Sequence, residues 1–262
     1  MFRTRGQNAT EHHPKSHWWY VWIPVCSAVV WFGTILALLA TWLAEGGTHR
    51  PRYSSQQESI AYISDVGADF LKPLFVTGCV ITALTFFFSL VIERYLRHSG
   101  RLVPTMRRRQ TVFGVLATLG AFIGGAGLIL LSVFDTKRFP HLHRVFLLVF
   151  MAGVAISALF TVVEYRWLSK DYEFLRELRI AYVVKGVFVL VLVALAIAFG
   201  VLLETNLNVG AVVEWTISFL FTFYLLTYYY DLRQARGVHK GQLNTRTMPN
   251  ERRGATISRW RQ

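Results

Sequence analysis

Gly186 to Leu203, GVFVLVLVALAIAFGVLL, is eighteen residues without a charge. Crossing a hydrocarbon core about 30 Å thick requires an apolar run of about that length. Lipid offers no water to backbone N–H and C=O groups, so a span must satisfy them internally, as an α-helix does. Outward from this run, spans are expected at about 22–43, 74–92, 111–134, 145–163, 180–203 and 209–230. Trp18, Trp19, Tyr20 and Trp22 open the first span and Trp42 closes it, while Tyr228, Tyr229 and Tyr230 close the last, as aromatic belts at membrane–water boundaries do. The expected fold is all-α, a polytopic membrane protein with six transmembrane helices in one bundle over 18–231. A basic tail over 1–17 precedes it, and an Arg-rich tail over 232–262, polar enough to be disordered, follows.

Composition agrees but decides less. The chain is 53% hydrophobic, close to soluble domains, so the clustering of apolar residues carries the argument. Cys26 and Cys79 lie inside apolar runs and form neither a disulfide framework nor a metal-ligand spacing. The first apolar run is too long for a signal-peptide core and lacks a small-residue cleavage site. His12, His13 and His17 in the first tail have no acid or cysteine to complete a metal site.

Net charge is +13, and its placement gives orientation. Of 28 Lys and Arg, one side of the six-span topology carries only Arg50, Arg52, Lys72, Lys137, Arg138 and Arg144. The remainder fall in the tails, the 93–111 loop and the 164–185 region, where Lys185 is expected to snorkel to the interface. The positive-inside bias then puts both termini in the cytoplasm. Asn8-Ala9-Thr10, the sole glycosylation sequon, should stay bare.

The connections carry the remaining signals. Ala44 to Leu71 is long for a loop, and Ile60, Ile63, Gly67 and Phe70 are spaced for one face of an amphipathic helix that lies on the bilayer or caps the bundle. In the third span, Gly120, Gly124, Gly125 and Gly127 permit close helix approach. The exoplasmic side gathers Ser64, Asp65, Gly67, Pro73, Asp135, His141, His143, Glu214 and Trp215. Only about 24 Å of helix runs from Trp215 to Tyr230, which draws Glu214 to or just below the interface. An ionisable group there calls for a partner, with His141, His143 and Arg144 the candidates. A structural ion pair is one reading. A zinc or acid–base site built on His141-Leu142-His143 and the carboxylates is the sharper one, although neither His-Glu-x-x-His nor Gly-x-Ser-x-Gly occurs.

Three pieces in this order, Tyr62-Ile63-Ser64-Asp65-Val66-Gly67-Ala68 with Pro73, Phe134-Asp135 with His141 and His143, and Glu214-Trp215, resemble the FRAG/DRAM/SFK family of six-span membrane proteins, with a CWH-type N-terminal domain. The resemblance covers about 18–231 and favours the fungal SFK-like branch. It implies a non-enzymatic plasma-membrane protein that organises lipids or scaffolds a phosphatidylinositol 4-kinase complex. Other branches imply GPI-anchor lipid remodelling in the endoplasmic reticulum or Golgi, or autophagy modulation at the lysosome or vacuole. No cofactor is implied.

Arg101, Arg107, Arg108 and Arg109 form a basic cluster beside the second and third spans, suited to anionic phosphoinositides or to orientation alone. Nucleic-acid binding is not expected of tails without aromatic stacking platforms. The spans hold too few mid-bilayer polar residues to line an ion path.

Overall fold

The computed structural model describes residues 18–49, 53, 55–103, 105, 107–171, 176–236 and 238. Every regular element among them is helical: α1 (Ile23–Ala44), the short α2 (Ile63–Gly67), α3 (Lys72–His98), α4 (Arg108–Val133), α5 (Pro140–Asp171), α6 (Arg176–Thr205) and α7 (Leu207–Arg233). All but α2 are long and apolar enough to cross a membrane, as expected. Both tails lie outside the described residues. Successive spans reverse direction. The start of α1, the α3–α4 and α5–α6 connections and the end of α7 therefore share one end, the tail end. The α1–α3, α4–α5 and α6–α7 connections share the other, the cap end.

The helices outrun the expected spans. At 27 residues, α3 is about 40 Å long, so it extends beyond the hydrocarbon at one or both ends. Tyr95 to His98, expected in a loop, are its last turn. The charge-dense stretch 164–179, expected as a loop ending in an interfacial helix, instead continues α5 to Asp171, and α6 begins at Arg176. Glu164 can stay helical and buried because it pairs with Arg94 of α3.

The tightest seam joins α4 to α5. A Cβ on Gly124 would stand 2.8 Å from the Val154 nitrogen, and one on Gly127 would stand 2.6 Å from the Phe150 nitrogen. Gly153 answers from α5, where a Cβ would collide with the Gly124 backbone. Lipid gives no hydrophobic drive between helices, so such backbone approach supplies the attraction. The centre is aromatic: Phe86 of α3 meets Phe221, Tyr224 and Tyr228 of α7 edge-on at 5.8–6.4 Å. The outer helix is α6, packed on α5 and α7 with Leu190, Ile197 and Val201 exposed.

Two expectations are corrected here. Trp19, Trp22 and Tyr230 are exposed as belt residues should be, but Trp42 and Tyr228 are buried in the bundle. The amphipathic helix over 60–70 shrinks to α2, whose five residues are all buried, while Phe70 points outward. Of the two places open to this segment, it takes the cap.

Candidate functional site

The cap is fastened by polar bonds from α7. The Ile60 N–H donates to Asn208 Oδ1 at 3.0 Å, and the Tyr62 hydroxyl donates to the Leu207 carbonyl at 2.8 Å. Trp215 Nε1 donates to the Ala61 carbonyl at 3.0 Å, and the Ile63 N–H donates to Glu214 Oε2 at 2.8 Å. Glu214 thus finds a backbone amide where His141, His143 or Arg144 were expected. His141 and Arg144 are exposed.

Asp65 caps the first turn of α2. One oxygen accepts the Tyr62 N–H at 3.1 Å and the other accepts the Ser55 hydroxyl at 2.6 Å. Burial raises its pKa above the ordinary aspartate value, opposed by those two hydrogen bonds and by nearby His143. Burial, followed by the charges of Glu214, Asp65 and Glu58, pushes the Tyr62 phenol up to about 12. Gly67 has no room for a side chain, because a Cβ would lie 2.8 Å from the Phe75 ring. Ser64 is buried, and its carbonyl accepts from Thr136 at 3.4 Å. Pro73 sits in the first turn of α3, where no N–H is needed.

Asp135 belongs to a second knot. It is ion-paired with Lys72 and accepts the Arg138 N–H at 2.7 Å. Burial pushes its carboxyl up, but Lys72 and the Arg138 amide outweigh this and hold it below the usual range. His143 Nδ1 lies 2.9 Å from the Leu131 carbonyl and 3.0 Å from that of Phe134. Two acceptors require Nδ1 to carry the proton. With His141 outside and His143 committed this way, the His-x-His pair does not converge. Among the described residues no group of three His, Cys, Asp or Glu is placed to hold a metal.

The sequence reading missed a second cluster, at the tail end. Glu93 Oε1 accepts from Arg97 at 2.8 Å and from the Tyr165 hydroxyl at 2.8 Å, and Arg94 reaches it at 3.3 Å. Arg94 also pairs with Glu164, and Lys185 pairs with Asp231. The Lys185 ammonium stands 3.7 Å from the centroid of the Tyr228 ring. Lys185 was expected to snorkel outward but is 1% exposed. Three acids meet three bases here, so the buried knot is neutral. The legible signal was that each charge lies at the same end of its span.

Beside this knot, Arg107, Arg108 and Arg109 open α4 on the surface, and Arg101 is half-buried. Arg109 lies over the Trp167 ring at 5.8 Å.

A profile of the Frag1/DRAM/Sfk1/Cwh43P N-terminal domain matches residues 19–235. Protein sfk1 of Schizosaccharomyces pombe is 29% identical over 216 residues, which cover 82% of this chain and 64% of that protein. Protein SFK1 of Saccharomyces cerevisiae is 25% identical over 183 residues, 59% of this chain and 51% of that protein. The chain therefore spans less than two thirds of either relative. No solved structure matches. The matched stretch runs from the aromatic foot of α1 to just past α7, cap and buried knot included, and the chain belongs to the Frag1/DRAM/Sfk1/Cwh43P N-terminal-domain family.

Proposed function

We propose that the protein organises lipids at the plasma membrane, with its tail end in the cytoplasm, and holds anionic phosphoinositide headgroups there for a phosphatidylinositol 4-kinase complex. The observation that carries this reading is the run of exposed arginines, Arg107 to Arg109, at the start of α4. A helix N-terminus carries positive partial charge, and no acid stands in the first turn of α4. Cations crowd a positive pole there, and an anionic headgroup relieves both at once. Each such arginine contributes about 1 kcal/mol against an anionic leaflet. Similarity to the two yeast Sfk1 proteins supports the branch, and the lysine and arginine distribution supports the orientation.

The test uses the full tagged chain in cells, imaged against plasma-membrane and internal markers. The expected result is a plasma-membrane rim, no glycan on Asn8, and loss of kinase recruitment when Arg107, Arg108 and Arg109 become Ala in a chain that still reaches the rim. An internal pattern would overturn the reading in favour of GPI-anchor remodelling or autophagy modulation. Function surviving the triple variant but lost in Asp65→Ala would move the active face to the cap.

A further inference from the structure

A groove runs beneath the cap, between α5, α6 and α7, with Trp31 of α1 at its back. It has two lobes. The lower lobe is walled by apolar residues such as Met151, Val193, Ala196 and Phe221. The upper lobe reaches Ser64, His143 and Glu214. Trp31, Phe150, Met151, Ile217 and Ser218 line both lobes, so the two adjoin. The shape is a long apolar slot with a polar end.

The polar end has a defined hydrogen-bonding sense. His143 is 2% exposed, and its Nδ1–H is spent on two carbonyls. Nε2, on the other edge of the neutral ring, is then a lone pair, and it is buried with no partner. Leaving a buried acceptor unpaired is unfavourable, and a donor entering the lobe would relieve it. Glu214 accepts the Ile63 N–H with one oxygen, and its other oxygen takes no hydrogen bond among the described residues. No Lys or Arg lines either lobe. The end therefore offers the His143 acceptor and no cation for a phosphate.

We propose that this groove binds a single membrane lipid, with an acyl chain along the lower lobe and a hydrogen-bond donor, a hydroxyl or an amine, at His143 Nε2. This site is separate from the arginine face, and it selects against the anionic lipids proposed there.

The experiment places the purified full chain in nanodiscs and labels it with three acyl-diazirine lipids: diacylglycerol, phosphatidylethanolamine and phosphatidic acid. Crosslinked peptides are located by mass spectrometry. Crosslinks are expected on the α5 and α7 peptides that contain Met151 and Ile217. Either the hydroxyl or the amine probe should exceed phosphatidic acid by about tenfold, the effect of one hydrogen bond of about 1.4 kcal/mol. Which of the two wins identifies the donor. Ala196→Trp, filling the lower lobe away from the polar end, should abolish these crosslinks. His143→Gln keeps an amide donor for the two carbonyls and should erase the preference between heads while the chain stays folded. Equal labelling by all three probes, or crosslinks that survive Ala196→Trp, would overturn the proposal. Loss of phosphoinositide binding in the arginine variant with groove labelling intact would leave it standing, since the two sites are read separately.

Discussion

Lys185 of α6 and Asp231 of α7 are ion-paired at the buried tail end of the bundle, with Tyr228 closing over the ammonium. Removing one partner of such a pair leaves an uncompensated charge in a low-dielectric setting and costs about 3–5 kcal/mol. Lys185→Met alone should therefore lower thermal stability sharply. The double variant Lys185→Met/Asp231→Leu should recover most of the loss, because it buries no charge. Melting of these two variants and of Asp231→Leu alone, in one detergent, gives the coupling, and additive losses would mean that the pair contributes nothing of its own.

The α4–α5 seam predicts a contrast between glycines. Gly124→Leu places a side chain where even a Cβ comes within 2.8 Å of the Val154 backbone, so the helices must separate and the folded yield should collapse. A Cβ on Gly33 would meet nothing within 4 Å, and Gly33→Ala should fold as well as the parent. Size-exclusion profiles of the two variants side by side would check this.

These cases show what was legible in the sequence. Apolar run length marks the spans, because lipid thickness is a fixed ruler, and the glycine spacing marks the seam. The cap residues were found because polar side chains beside apolar runs are conspicuous. Their partners were not. Glu214 bonds a backbone amide 151 positions away, and backbone donors leave no trace in side-chain identity. The knot of Glu93, Arg94, Arg97, Glu164, Lys185 and Asp231 was hidden for another reason. Charges at span ends look like interface residues until neighbouring helices are known to pair them. Too few polar residues had been expected within the spans to line an ion path. The structure puts these six charges in a closed neutral knot at one end, while the groove is apolar along most of its length.

The Asp135–Lys72 pair gives the joint between α3 and α4 a pH dependence. Asp135 has a folded pKa below its unfolded value, so its contribution is present above about pH 4 and is lost as pH falls through the lowered folded value. Asp65 has the opposite sign: its raised pKa favours the neutral acid in the folded chain, so that penalty is relieved on acidification. Hydrogen exchange at Lys72 and Arg138 should rise below about pH 4 in the parent chain and lose that step in Asp135→Asn. A step that persists in the variant would place the titration elsewhere.

Glu214 holds the cap by accepting the Ile63 N–H, and the substitution series follows from that bond. Glu214→Gln retains a carbonyl oxygen and should keep most of the protection of the Ile63 amide. Glu214→Leu leaves that N–H without a partner beneath the cap, at a cost of about 1–3 kcal/mol, or roughly five- to 150-fold in local opening. The Trp215 bond to Ala61 and the Tyr62 bond to Leu207 remain in both variants, so loosening should concentrate at Ile63 and its neighbours while the spans stay protected. Amide exchange resolved over 60–67 reads this directly. If Gln and Leu loosen the cap equally, the charge of Glu214 holds it, and the hydrogen bond does not.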